Sequence, residues 1–74
     1  MNTQTLVRMA NQIGEFFAAM PDREQAEEDI VRHLRKFWEP RMRLQLLEYM
    51  DSHHGAGLSD ILLAALRRHK ALLE

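Results

Sequence analysis

Residues 3–20 read TQTLVRMANQIGEFFAAM, and this stretch decides the fold class. Its apolar side chains recur at steps of three and four residues, the spacing that places them on one face of an α-helix. Thr3 or Thr5 is predicted to cap the start of this helix, because either hydroxyl can accept a hydrogen bond from the first turn. The apolar face consists of Leu6, Met9, Ala10, Ile13, Phe16, Phe17 and Met20.

Gly14 lies in the middle of this predicted helix, where a glycine costs about 1 kcal/mol relative to alanine. One interpretation is that another helix approaches closely at this point. The other is that an exposed helix face simply tolerates the glycine. The residue pattern leaves both interpretations open.

Three further helices are predicted, at about 22–38, 40–52 and 59–73. Asp22 is a suitable N-cap for the first of these, and Gln25 stands three residues later in the position of a capping box. In each segment the apolar residues again follow a helical period rather than the alternation that is typical of a strand.

Proline and glycine mark the boundaries between these helices. Pro40 suits the first residue of a helix, where its missing N–H group is no loss. Residues 51–57, DSHHGAG, form the clearest loop, and Ser59 is predicted to cap the helix that follows. The sequence therefore predicts an all-α protein, a small irregular bundle of about four short helices without strands, in which residues 1–74 form a single domain.

The composition narrows the classes of protein further. The chain has 74 residues and no cysteine, which excludes disulfides, thiolate zinc sites and iron–sulfur ligation by its own side chains. A net charge of −1 disfavours nucleic acid as a partner. We find no secretory signal and no apolar run of the length that a membrane helix needs, so we expect a cytoplasmic protein that does not enter a membrane.

The motifs that could carry chemistry are weak. The GAG sequence at 55–57 lacks the lysine and the preceding strand of a phosphate-binding loop. Ser52 and His53 are neighbours in a loop, but adjacency in sequence is not the geometry of a catalytic triad. His53 and His54 lack the spacing and the further ligands of a metal site. We therefore predict that the chain is not an enzyme and that it holds no cofactor or metal of its own.

The most unusual stretch is HLRKFWEPRMR, residues 33–43, which combines the only tryptophan with a second aromatic residue and clustered basic residues. One interpretation is that Phe37 and Trp38 anchor the core while the basic residues only increase solubility, and for Phe37 we favour it. For Arg41 and Arg43 we favour contact with a partner, since tryptophan and arginine are the residue types most enriched in interface hot spots.

Two segments together resemble a known family. The sequence MANQIGEFF at 9–17 followed by HLRKFWEPRMR at 33–43 is similar to the delta subunit of NAD-dependent, molybdenum-containing formate dehydrogenases. The similarity continues through the loop at 55–58 into the helix around 65–66, so it covers essentially the whole chain.

This resemblance implies a non-catalytic accessory subunit of a cytoplasmic multisubunit enzyme. In that family the alpha subunit carries the molybdenum cofactor and iron–sulfur clusters, whereas the beta and gamma subunits handle NAD, FMN and electron transfer. The resemblance implies a role of the delta subunit in assembly or stability of the complex, and it leaves open a role in inserting the molybdenum cofactor. The competing hypothesis is a free-standing helical interaction module or a homo-oligomeric regulator, and an oligomer of the isolated chain also stays open.

For this accessory role we predict a partner-binding surface that docks on the catalytic alpha subunit. It combines two polar residues of the first helix with the aromatic and basic residues of the 33–43 stretch. Its predicted members are Asn11, Gln12, His33, Lys36, Trp38, Arg41 and Arg43.

Overall fold

The computed structural model describes residues 2–74, and within that range the chain is helical with no strand. This confirms the prediction of an all-α bundle. That residues 1–74 form one domain stays a prediction, and Met1 lies outside the described residues. The helices are α1 (Thr3–Ala18), α2 (Arg23–Phe37), α3 (Pro40–Ser52), α4 (Asp60–Arg68) and α5 (Lys70–Leu73).

The N-terminal cap of α1 differs from the prediction. The Asn2 side chain accepts hydrogen bonds from the backbone N–H groups of Gln4 and Thr5, so a cap at Thr3 or Thr5 was wrong. Asn2 is as good a cap as threonine, and it stands where the chain is still extended. Thr3 lies inside the helix, and its hydroxyl accepts a hydrogen bond from the Gln45 side chain of α3, at 2.7 Å.

The boundaries of α2 and the start of α3 agree with the predicted signals. Asp22 caps α2 by accepting a hydrogen bond from the Gln25 N–H group at 3.1 Å. The Gln25 side chain points forward to Asp29 instead of back to the cap, so only half of the capping box forms. Trp38 and the residue before Pro40 are extended, and Pro40 is the first residue of α3.

The last predicted helix is broken in two. Ser59 caps α4 as expected, since its Oγ accepts a hydrogen bond from the Leu62 N–H group at 3.4 Å. The helix ends at Arg68 because the backbone leaves the helical conformation at His69, and the short α5 follows. Two contacts hold α5 against the other helices. Arg35 of α2 donates a hydrogen bond to the Leu72 carbonyl, and Lys70 of α5 forms an ion pair with Asp51 of α3.

Helix α2 is the centre of the bundle and packs against each of the other four helices. The apolar stripes of all five helices meet around it. Its own Glu27 is also buried, and the carboxylate lies 3.2 Å from Arg23 Nε and 3.3 Å from Arg68 Nη1, which ties α2 to the end of α4. The best-buried residues include Leu6, Ala10, Ile30, Val31, Leu34, Leu46, Leu62, Leu66 and Leu73.

The structure also explains the mid-helix glycine. Gly14 is buried where α1 crosses the start of α4, and a Cβ atom at this position would lie 3.3 Å from both Leu62 Cβ and Ser59 Oγ. Close approach of another helix, and not tolerance on an exposed face, is therefore the correct interpretation.

Candidate functional site

An open, largely apolar groove runs between α1 and α2 and has a volume of about 470 Å³. Helix α1 supplies most of its wall, and the end of α2 supplies the rest. Trp38 reaches this wall from inside the core. The lining residues are Met9, Gln12, Ile13, Phe16, Phe17, His33 and Trp38.

Four rings form a continuous row along this groove, which we call the aromatic row: Phe16, Phe17, His33 and Phe37. The Phe16 and Phe17 rings are nearly perpendicular at 5.0 Å, Phe17 lies 6.1 Å from His33, and His33 lies 4.7 Å from Phe37. His33 and Phe37 meet because residues four apart share one helix face.

The two ends of the aromatic row are exposed to solvent. Phe16 is 75% exposed and Phe37 is 64% exposed. Single exposed apolar side chains are common on proteins, but adjoining ones beside a groove are typical of an interaction surface.

The positions of the two adjacent aromatic residues at the end of α2 correct the sequence analysis. Phe37, which we expected in the core, lies on the surface, so that prediction was wrong. Trp38, which we placed on an exposed aromatic and basic surface, is only 6% exposed. The reason is that α2 ends at Phe37 and the extended backbone of Trp38 turns its side chain under the helix.

Two of the predicted partner-binding residues are engaged within the chain. Asn11 Nδ2 donates to the Gly57 carbonyl at 2.8 Å, and Asn11 Oδ1 accepts from the Ser59 N–H group at 2.9 Å. Arg43 Nη1 donates to the Arg35 carbonyl at 3.1 Å, near the end of α2. Both side chains therefore have structural roles that the sequence did not reveal.

Three of the four remaining predicted residues lie at the groove or beside the aromatic row. Gln12 and His33 line it. Lys36 lies beside the aromatic row, with Nζ 5.5 Å from the centre of the Phe37 ring. Arg41 is exposed on the first turn of α3, where a positive charge is unfavourable for the helix dipole. Within residues 2–74, no carboxylate forms an ion pair with Lys36 or Arg41.

The sequence analysis did not predict that the Phe16 side chain is exposed to solvent. We placed it with Phe17 on the buried face of α1, but successive residues of a helix point about 100° apart. Two adjacent phenylalanines at a helix end cannot both follow one narrow stripe, and this signal was present in the sequence. Phe17 is half-buried, whereas Phe16 faces solvent.

The two histidines considered for catalysis or metal binding lie at the end of α3 and in the loop that follows it. His53 stacks on the Tyr49 ring at 4.3 Å, and His54 is in a left-handed conformation in the loop. Within the described part of the chain, no group of three or more histidine and carboxylate side chains could hold a metal ion. No helix among residues 2–74 has the length and hydropathy to span a membrane.

Comparison with known protein families assigns the chain to one of them. The model of the family described as NADH-dependent formate dehydrogenase delta subunit, FdsD, matches residues 5–66. The chain belongs to this family. The matched delta-subunit region contains every lining residue of the groove and both ends of the aromatic row. No curated protein and no solved structure shows significant similarity to the chain.

Proposed function

We propose that this delta-family chain is a non-catalytic accessory subunit that binds the catalytic alpha subunit of a cytoplasmic NAD-dependent formate dehydrogenase. In this role it supports assembly or stability of the complex. The aromatic row carries the proposal, since two exposed phenylalanines flank an apolar groove on a chain of a known subunit family. The molybdenum cofactor, iron–sulfur clusters, FMN and NAD belong to the other subunits.

The physical basis of this role is linkage between binding and folding. A protein that binds only the native form of its partner stabilises that form, by about 2.7 kcal/mol when its free concentration is a hundred times the Kd. Covering the aromatic row would also remove apolar surface from water, which favours association. An accessory subunit can therefore increase the yield of active enzyme without contributing a catalytic group.

A finer form of the proposal is that the chain supports insertion or retention of the molybdenum cofactor. The two forms differ in a measurable quantity. Structural support alone changes the amount of intact complex, whereas a role in insertion changes the molybdenum content of each alpha subunit.

The test is to express the large subunits with and without this chain, and to measure formate-dependent NAD reduction together with molybdenum content. We expect lower activity without the chain. Loss of molybdenum per alpha subunit would support the insertion role, and loss of intact complex with molybdenum retained would support the structural role.

Size-exclusion chromatography of the same preparations provides the control for association. We expect the chain to elute with the large subunits at a fixed ratio. Unchanged activity and molybdenum content, together with a chain that elutes separately as a defined oligomer, would contradict the proposal and favour a free-standing module.

A further inference from the structure

We infer that the groove between α1 and α2 binds an amphipathic helix of the partner subunit, one that carries acidic residues beside a bulky apolar side chain. This inference rests on the proposed function, because it specifies the chemistry of the segment that the accessory subunit recognises. Three properties of the groove support it: its lining, its charge and its relation to the rest of the chain.

The lining of the groove requires an apolar anchor. Its wall is formed mainly by Met9, Ile13, Phe17 and the edge of Trp38, with Phe16 exposed at one end. A bulky apolar side chain that enters it would replace water on all these surfaces. Two helices form the walls, and a third helix packs naturally into the groove between two others through its own ridge of side chains.

The charge around the groove requires acidic groups on the partner. None of the lining residues is a carboxylate, and the positively charged Lys36 lies beside the aromatic row. A partner that covers Phe37 would also take Lys36 partly out of water, which is unfavourable unless an opposite charge compensates it. An acidic residue next to the apolar anchor provides that charge.

Arg41 is a further exposed basic residue, on the helix that follows α2, and it does not line the groove. Lys36 lies in the last turn of α2, where a positive charge stabilises the helix, but Arg41 lies in the first turn of α3, where it does not. Its exposed guanidinium has no carboxylate partner within residues 2–74. Helix stability therefore does not account for Arg41, but the charge argument for the groove rests on Lys36.

A two-fold dimer of this chain would leave Lys36 without an opposite charge. Such a dimer places the same surface against itself, and the lining of that surface contains no carboxylate. A head-to-tail contact would need an acidic segment with an exposed apolar anchor. The acidic stretch of this chain, residues 22–29, has no large exposed apolar side chain. Helix α3, however, carries the exposed Leu44 with the exposed Glu48 one turn later, so the first test must distinguish this head-to-tail contact from a segment of a large subunit.

The first test identifies the occupant of the groove in the assembled enzyme. Phe16→benzoylphenylalanine introduces a photo-crosslinker at an exposed position, and mass spectrometry then identifies the peptide that it captures. We expect a helical segment of a large subunit with Asp or Glu close to a bulky apolar residue. A captured segment without carboxylates, a second copy of this chain, or no cross-link in the intact complex would overturn the inference.

The second test measures how much the positive charge of Lys36 contributes to binding, with a matched pair of variants. Lys36→Glu should weaken binding to the purified large subunits by roughly tenfold and reduce its dependence on salt. The control is Arg67→Glu, since Arg67 is also an exposed basic residue in the last turn of a helix but lies outside the groove. Circular dichroism should show equal helical content for both variants.

Failure of this inference can be told apart from failure of the proposed function. If wild-type chain, Lys36→Glu and Arg67→Glu bind the large subunits equally well, the acidic-helix inference is wrong while the accessory role stands. If the wild-type chain neither binds the large subunits nor changes their activity, both are wrong.

Discussion

At the end of α2, two adjacent aromatic residues occupy opposite environments. Phe37 is the last helical residue and points into solvent, whereas Trp38 is extended and packs into the core. The apolar stripe of α2 passes through Ile30 and Leu34, and its continuation by one turn falls between positions 37 and 38. Only the exact residue at which the helix ends decides which ring is buried.

The two rings should therefore differ sharply in their effect on stability. Trp38→Ala removes a buried aromatic side chain, and such changes cost about 3–5 kcal/mol. Phe37→Ala removes a largely exposed ring, and we expect a loss below about 1 kcal/mol. Urea unfolding followed by circular dichroism measures both. A loss for Phe37→Ala as large as that for Trp38→Ala would show that the positions of the two rings are wrong.

At the scale of secondary-structure elements, the loop before α4 is held by α1. Asn11 forms two hydrogen bonds to this loop, one as donor and one as acceptor, and Gly14 allows α1 and the start of α4 to come close together one turn later. A shorter side chain at position 11 would lose these hydrogen bonds, and any side chain at position 14 would press against the start of α4. These two residues explain why a long loop with two glycines can start α4 at a defined position.

We expect Asn11→Ala to destabilise the protein by about 1–2 kcal/mol, because the Ser59 N–H group and the Gly57 carbonyl lose their partner in the chain. The neighbouring Gln12→Ala is the control, since Gln12 is exposed and should change stability by less than about 0.5 kcal/mol. Chemical denaturation compares the two. If Asn11→Ala instead weakens binding to the large subunits at unchanged stability, Asn11 acts at the interface as the sequence suggested.

At the scale of the whole molecule, the last helix completes the core although it lies beyond the family match. The match ends at residue 66, but Leu73 of α5 is only 1% exposed and packs with the helices of the matched region. A chain of this size buries a limited share of its surface, so each buried leucine contributes a considerable part of the total stability.

Neighbouring leucines of α5 test this contribution. Leu73→Ala should destabilise the whole bundle by about 2–5 kcal/mol, whereas Leu72→Ala, at a position that is 45% exposed, should cost much less. If the chain is one domain, Trp38 fluorescence and circular dichroism should report a single coincident transition in each case. Separate transitions, with α5 melting first, would contradict both the single domain and this role of Leu73.

The sequence by itself determined the helical class, most helix boundaries and the family. Caps such as Asp22 and Ser59 and the proline at Pro40 act through hydrogen bonds and sterics within one turn, so they can be recognised without knowledge of the fold. The tertiary structure alone decided that Phe17 and not Phe16 faces the core, and that the Asn11 side chain binds the loop before α4. Neighbouring helical residues differ by only about 100° in direction, so their burial depends on where distant helices pack.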